Sequence, residues 1–382
     1  MTTRFPHHEL RGSHREVCRQ HGEALRPMIR AHLDLIHTQG SLKSQLAPEA
    51  ARRWALAFGR TIGDAAPHFL EEIEGVAAGA GIEPAEALLL QVRQEVAHIA
   101  RFGTVDLECT SFAVSGAFTR SGGTFAGQNA DLSGGIERFS AVLTFAVTGK
   151  PAVMMLVPAG QISYLGMSSE GLSANANFLR SAGWRTGFPR YLLTRLAIEQ
   201  PTLKAAVDAA LTPARASSRN LLLADRAGAM VDIETTAREH GLAWGDGCLV
   251  HANHHVLPGM AGHETANPEE LHNSTCRQAR IAALMEIHRG ALEPVTLKAI
   301  LRDHADRPHS ICAHPRRACV VQLRVDHLRP RRGADGGRGG AALRARVRDL
   351  RGDPIAPAQL WRLDAAAAIE ASAPMPTPID PR

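Results

Sequence analysis

The sequence predicts an α+β fold, and three observations carry that expectation. From about Arg11 to Ala100 the apolar residues recur with the period of a helix. Immediately after Cys109 the period drops to two. Beyond that point runs of strands are followed by pairs of helices, which favours segregated layers over an alternating parallel sheet.

The leading third reads as all-α. EALRPMIRAHLDLI, ARRWALAFGRTI, PHFLEEIEGVAAGAG and PAEALLLQVRQEVAHI each place apolar side chains three and four residues apart, on one helical face. Pro84 suits a first helical turn, where its missing N–H costs nothing, and Gly79 and Gly81 are natural stops for the helix before it. After Cys109, TSFAVSGAFTR and TFAGQNADL flank a Ser-Gly-Gly turn and read as an antiparallel hairpin. RFSAVLTFAV, PAVMMLVPAG, ISYLGMSS and GLSANANFL are further strands. NLLLADRAGAMVDIE and HGLAWGDGCLVHANHH each read as two strands split by a Gly-bearing turn, short enough to imply antiparallel pairing. Helices are expected at YLLTRLAIEQ, at LKAAVDAAL behind a Thr202 cap, at STCRQARIAALMEIHRG and at VTLKAILRDHA. The tail offers ACVVQLRVD and AALRARVRD, placed to pair across an Arg/Gly-rich loop near 327–342, and then an Ala/Pro stretch with the composition of disorder.

Composition narrows the function classes. The chain has 382 residues, enough for one large two-layer core or a core with a helical extension. Its 45% apolar and 21% charged residues are ordinary for a globular protein. No apolar run reaches the roughly 18 residues of a membrane helix, and the start MTTRFPHHELRGSHRE is too polar for a secretory core, so the chain reads as cytoplasmic with no membrane partner. Six scattered cysteines without a CxxC pair argue against a disulfide framework and leave room for one reactive thiol. The net charge of +5 is concentrated between Arg316 and Arg351, where no aromatic side chains interleave, so a solvated loop is favoured over a nucleic-acid groove.

Cys109 opens a strand at the helix-to-sheet junction and is flanked by hydroxyls in ECTSF, which places a thiol at a sheet edge. Taken alone it is as readily a small buried hydrophobe. Polar residues then recur at strand ends where apolar ones are expected: Gln128, Asn129 and Asp131 in GQNAD, Asn175 and Asn177 in SANANF, and Asn253 in HANHH. Each alone is a turn residue. Together they point to a site, because a buried amide costs about 1–3 kcal/mol if left unsatisfied.

The ordered series FLEEIEGVAAGAGIEPAEALLLQVRQEV, ECTSFAV, GQNAD, GMSSEGLSANANF, VHANHH and NSTCRQAR resembles the acyl-coenzyme A:6-aminopenicillanic acid acyltransferases, relatives of the conjugated bile salt hydrolases and penicillin V acylases. The resemblance implies a four-layer αββα sandwich of the N-terminal-nucleophile (Ntn) hydrolase type. It also implies autocatalytic cleavage between Glu108 and Cys109, with 1–108 as a helical propeptide retained as a small subunit and 109–382 as the catalytic region. The freed α-amine, with an ordinary pKa of about 7.7–8.0, would then serve as the base of the Cys109 thiol. On the same resemblance Asp131 would orient that amine, Asn177 and Asn253 would donate toward the oxyanion, and Arg277 would support the charge network. Gln128, Tyr164, Phe178 and Trp184 are candidate pocket residues. The hydrolase branch often has Arg where Gln128 stands and an aromatic where Leu132 stands, which leaves the substrate open. No cofactor is expected. The partners would be a small-molecule acyl donor, among them an acyl-coenzyme A, and water or an amine as acceptor; oligomeric state is open.

Two other readings stand beside this one. HANHH and the stretch HADRPHSICAHPRRAC, with His304, His309, Cys312, His314 and Cys319, offer ligands for a metal-dependent hydrolase, although their spacing fits no common zinc pattern. A non-catalytic binding protein of the same fold would use the Arg-rich loop as its contact surface.

Overall fold

A computed structural model describes residues 5–38, 46–99, 108–131, 136, 138–312 and 318–325. The leading helices are α1 (His14–Ala24), α2 (Arg26–Thr38), α3 (Pro48–Ala65), α4 (Pro67–Ala80) and α5 (Pro84–Ile99). The Ser13 hydroxyl caps α1 by accepting from the Glu16 N–H, and Pro48, Pro67 and Pro84 each sit in a first turn. Gly81 ends α4 in the left-handed region at φ 64°, as expected. Gly79 does not end it. That glycine lies inside α4, where a Cβ would stand 2.0 Å from the Arg19 carbonyl oxygen, so it permits the close crossing of α1 and α4.

The leading third is not all-α. A short strand, β1 (His7–Gly12), runs parallel to β4 (Ser140–Val147). Only Leu10 of its six residues is buried, so it has no period-two apolar signature; backbone pairing, not side-chain pattern, makes it a strand.

Eight strands form the large sheet in the order β1, β4, β5 (Val153–Pro158), β6 (Leu165–Ser168), β7 (Leu172–Asn177), β8 (Arg219–Asp225), β9 (Met230–Thr235) and β10 (His240–Gly245). Every neighbouring pair after β1 is antiparallel. The small sheet has the order β11 (Cys248–His251), β2 (Glu108–Val114), β3 (Thr124–Asp131) and β12 (Ala318–Val325), again antiparallel. The expected hairpin of β10 with β11 is absent. Asp246 and Gly247 join them, but with Gly247 at φ 84° the chain leaves one sheet for the other, and β11 pairs with β2. The tail strand ACVVQLRVD becomes β12 and pairs with β3; AALRARVRD and the Arg/Gly-rich loop lie outside the described residues.

Alternation along the strands decides what packs where. On β7, Asn175 and Asn177 meet the small sheet, donating to the Phe112 and Cys109 carbonyls, while Ala174 and Ala176 join the core shared with the leading helices. On the small sheet, Ala113 and Ala126 face Leu222 and Ala224 of β8. Phe112, Val114 and Phe125 instead pack with Ile281 and Met285 of α8 (Pro268–Ile287) and with Leu297 and Ile300 of α9 (Pro294–Leu301). The helix α6 (Arg190–Ile198) lies on β6 and β7, beside α7 (Leu203–Leu211) with its Thr202 cap.

The core is continuous across residue 108. One buried cluster runs from Phe5 through the leading helices to Cys109 and on to Ile233. Polar groups fasten the same contact: His32 Nδ1 lies 2.9 Å from the Ala159 carbonyl, and the Gln91 amide donates to the Gly160 carbonyl at 2.8 Å while accepting from the Ile162 N–H at 3.1 Å. Among the described residues no helix is long and apolar enough to cross a membrane.

Candidate active site

Cys109 occupies the first full turn of the β2 pleat, paired with Ala130 on one side. On its other side β11 has already ended, since the last register pair there is Ser111 with His251. The chain beyond β11 therefore bends over the cysteine and delivers Asn253 to it. The Asn253 Oδ1 accepts from the Cys109 N–H at 2.6 Å, and its Nδ2 donates to the Phe178 carbonyl at 2.9 Å. Asn177, at the end of β7, donates through Nδ2 to the Cys109 carbonyl at 3.4 Å and to the His251 carbonyl at 2.9 Å.

Arg277 reaches the same point from α8. The capping box of Asn267 and Glu270 sets the start of that helix, and the four-residue spacing brings Asn273 Oδ1 to 2.8 Å from Arg277 Nε. The guanidinium then spans the corner: Nη1 donates to the Cys109 carbonyl and to Thr110 Oγ1 at 2.8 Å, and Nη2 donates to Asn253 Oδ1 at 3.0 Å. Cys109, Asn177, Asn253 and Arg277 are thus brought together around one residue. Asp131 pairs through its backbone with Glu108 and Ala318 at the adjoining strand ends; its carboxylate and the Glu108 side chain lie outside the described residues.

The other singled-out amides have different partners. Gln128 commits both ends of its amide to β7, donating to and accepting from the Ala176 backbone at 2.9 Å each way, so it bridges the sheets where a pocket contact was expected. Asn129 donates to the Leu301 and Ile311 carbonyls at 2.7 and 3.0 Å and so ties α9 and the following loop to the small sheet. Tyr164 and Phe178 are buried near the cysteine. Burial and the Cys109 thiolate together push the Tyr164 hydroxyl well above its ordinary pKa, and the Phe178 carbonyl is the acceptor of Asn253. Trp184 meets Phe178 edge-on at 6.1 Å and stacks on His98 at 4.3 Å.

Sequence reading missed the supports of this corner. Ser274 Oγ accepts from the Asn253 N–H at 2.6 Å, and Gln278 Oε1 accepts from the Ala252 N–H at 3.0 Å, so α8 holds the loop that carries Asn253. A polar stripe at helical spacing, Asn273, Ser274, Arg277 and Gln278, was the available signal. His251 stood in the sequence only as part of HANHH, and its ion pair was missed. Its ring is buried, with Nε2 at 2.9 Å from Glu234 and 3.8 Å from Asp232. Burial alone would lower its pKa, but the Asp232 and Glu234 carboxylates outweigh that and raise it to about 9. Glu234 accepts from the Val256 and Leu257 N–H groups as well, so this ion pair fixes the turn after Asn253.

Asp232, Glu234 and His251 are also the described group whose ligand atoms lie close enough, within 4.8 Å of one another, to meet a metal ion. A histidinium already paired with two carboxylates accounts for them without one. Among the described residues the expected metal ligands are not gathered into one group: His309 contacts Asn273 at 3.2 Å and Cys312 is buried, while His314 and the Cys319 side chain lie outside the described residues.

Comparison with known proteins adds to this geometry. The family model described as acyl-coenzyme A:6-aminopenicillanic acid acyl-transferase matches residues 118–318. The 40 kDa form of acyl-coenzyme A:6-aminopenicillanic-acid-acyltransferase of Emericella nidulans is 27% identical over 324 residues, spanning 80% of this chain and 84% of that protein. Among solved structures, the penicillin V acylase of Agrobacterium tumefaciens aligns with a TM-score of 0.36 at 12% identity, over 56% of this chain and 79% of its own.

Proposed function

This chain belongs to the acyl-coenzyme A:6-aminopenicillanic acid acyl-transferase family, and we propose that it is the precursor of an N-terminal-nucleophile enzyme that cuts itself between Glu108 and Cys109. The mature enzyme then transfers an amide- or thioester-linked acyl group through Cys109. The observation that carries this reading is the convergence of Asn253, Asn177 and Arg277 on the backbone of Cys109, with its nitrogen held at 2.6 Å by Asn253 Oδ1. A structural cysteine has no use for three polar side chains aimed at its own main chain. An N-terminal nucleophile does, because that nitrogen becomes its base.

In this mechanism the scission turns the Cys109 amide into an α-amine whose ordinary pKa, about 7.7–8.0, lets it take the thiol proton near neutrality. The thiolate sulfur attacks the acyl carbonyl, the C–N bond of an amide or the C–S bond of a thioester breaks, and the amine or thiol leaves with the proton returned from the α-ammonium. Water or a second amine then cleaves the thioester. Asn253 Oδ1 accepts an α-amine hydrogen and so orients its lone pair toward the sulfur, while Arg277 polarises the same oxygen. In the uncut chain the amide hydrogens of Asn177 and Asn253 serve backbone carbonyls; donation to the oxyanion, by either, belongs to the cut enzyme, as does the role of Asp131 at the amine. The four-layer Ntn sandwich, retention of 1–108 as a subunit, a cofactor-free reaction and a cytoplasmic setting are parts of the same proposal.

Denaturing electrophoresis and mass spectrometry test it. Wild-type protein should separate into two pieces with Cys109 at the new amino terminus, and Cys109→Ala should stay whole and inactive. A single intact chain in fully active material would end the proposal. Asn253→Ala should lower turnover by about 100-fold or more, since a preorganised polar group at the reacting centre is worth roughly 3 kcal/mol, and should also lower the melting temperature, because the Cys109 N–H, the Phe178 carbonyl and Arg277 each lose a partner.

A further inference from the structure

Beneath Phe178, on the side of the large sheet that faces α5 and α6, three arginines are buried with no ion pair among the described residues. Arg93, Arg190 and Arg219 are 1%, 1% and 3% exposed. Their guanidinium carbons lie 4.7, 5.1 and 5.2 Å from the centre of the Tyr191 ring, and that of Arg190 also lies 4.4 Å from Phe178 and 5.0 Å from Trp184. Nε, Nη1 and Nη2 of Arg190, Nε and Nη2 of Arg93, Nε of Arg219 and the Tyr191 hydroxyl have no hydrogen-bond partner among the described residues.

The same helix shows what a structural arginine looks like. Arg195, 1% exposed, is paired with Glu72 and with Glu199 at 2.7 Å each. Glu95 is the acid nearest the trio in sequence, and it spends Oε1 on the backbone N–H of Arg190 at 3.0 Å and on the Ser217 hydroxyl at 2.9 Å, while its buried Oε2 meets no guanidinium among the described residues. Aromatic faces offset part of the desolvation of a cation but satisfy none of its N–H donors. Burial first, and then Arg190, drive Arg219 down to about 10. Folding keeps three cations here at a cost, and the missing partner has to be an anion.

We propose that Arg93, Arg190 and Arg219, gathered round Tyr191, form the binding pocket for a carboxylate carried by the substrate. A carboxylate is planar and monovalent, and it accepts the forked donation that guanidiniums present. The pocket connects to the reacting centre through two hydrogen bonds, from Cys109 N–H to Asn253 Oδ1 and from Asn253 Nδ2 to the carbonyl of Phe178, whose ring covers Arg190. The anion therefore sits on the molecule whose acyl bond reaches Cys109, on its acyl or its amine side. Arg93 comes from α5 and the other two from beyond Cys109, so both sides of the proposed cut build the pocket. The inference rests on Cys109 being the nucleophile only for the identity of the ligand as substrate.

The test uses the full-length protein and follows alkylation of Cys109 by iodoacetamide with mass spectrometry. Protection is compared within two sets of pairs. N-acetyl-, N-phenylacetyl- and N-octanoylglycine against their glycinamides place the charge on the amine side. The p-nitroanilides of succinic, glutaric and adipic acids against those of their monomethyl esters place it on the acyl side. The charged member of one set should protect at about 10- to 100-fold lower concentration, as expected for charge-assisted hydrogen bonds, and which set does so identifies the side. In Arg190→Met that preference should fall to within about threefold while the melting temperature holds or rises, because an uncompensated buried charge has been removed. Equal protection by charged and neutral members throughout overturns the pocket in wild type alone. So does a large fall in melting temperature in both Arg190→Met and Arg93→Met, which would make the arginines structural. If Cys109 proves unreactive or dispensable, the catalytic proposal fails instead, and the thermal shifts produced by the same ligand pairs still report on the pocket.

Discussion

Two buried charged clusters flank the large sheet, and they are built on opposite terms. Between the sheets the buried cation, His251, has Glu234 at 2.9 Å and Asp232 at 3.8 Å, and Glu234 takes further hydrogen bonds from the Val256 and Leu257 backbone. On the helix side Arg93, Arg190 and Arg219 have aromatic rings for neighbours and no carboxylate pairing among the described residues. The difference teaches where to look for function. A paired charge is explained by the fold that surrounds it, whereas an unpaired one, held at the expense of stability, needs a ligand to explain it.

That contrast can be broken by mutation. Glu234→Ala should have the largest effect, a loss of about 3–5 kcal/mol in urea unfolding, since it leaves His251 and two backbone N–H groups short of their acceptor. Next comes pH. With His251 raised from 6.5 to about 9 in the folded protein, its contribution is fully present below about pH 6.5 and is lost as pH rises through about 9. Melting curves should therefore show a decline over that window, worth about 3 kcal/mol, that is missing in His251→Gln. Glu234 works in the opposite sense: its lowered pKa gives stability that is present above the ordinary glutamate value and lost on further acidification. Smallest is Arg190→Met, for which unfolding should shift by less than about 1 kcal/mol or move toward greater stability. A large loss there, or none in Glu234→Ala, would dissolve the distinction.

Much of the fold was legible in the sequence. The change of period at Cys109, the helix starts at Thr202 and Pro84, and the β2–β3 and β8–β9 pairs around Gly-bearing turns reappear in the structure. Short-range pattern failed where pairing is decided at long range. β1 carries one buried side chain and is a strand only because β4 lies beside it, and the Asp246–Gly247 turn has the chemistry of a hairpin yet hands the chain to the other sheet. The site divides the same way. Asn177, Asn253 and Arg277 stood out as polar residues in places expected to be apolar, and they do meet at Cys109. The arginine trio did not stand out: Arg93 sits in a helix that could have turned it to solvent, Arg190 follows a proline at a helix start, and Arg219 opens a strand. Nothing local marks such residues as buried; only the tertiary fold brings them to one tyrosine.

The parallel docking of β1 on β4 has a further consequence. Without that strand, SAVLTFAV would be the bare rim of a seven-stranded sheet, apolar and ready to recruit a strand from another molecule. The guard that covers it, HHELRG, is short and rich in charge and imidazole, a poor template for further growth. Removing residues 1–12 should therefore promote aggregation before it costs any catalytic group.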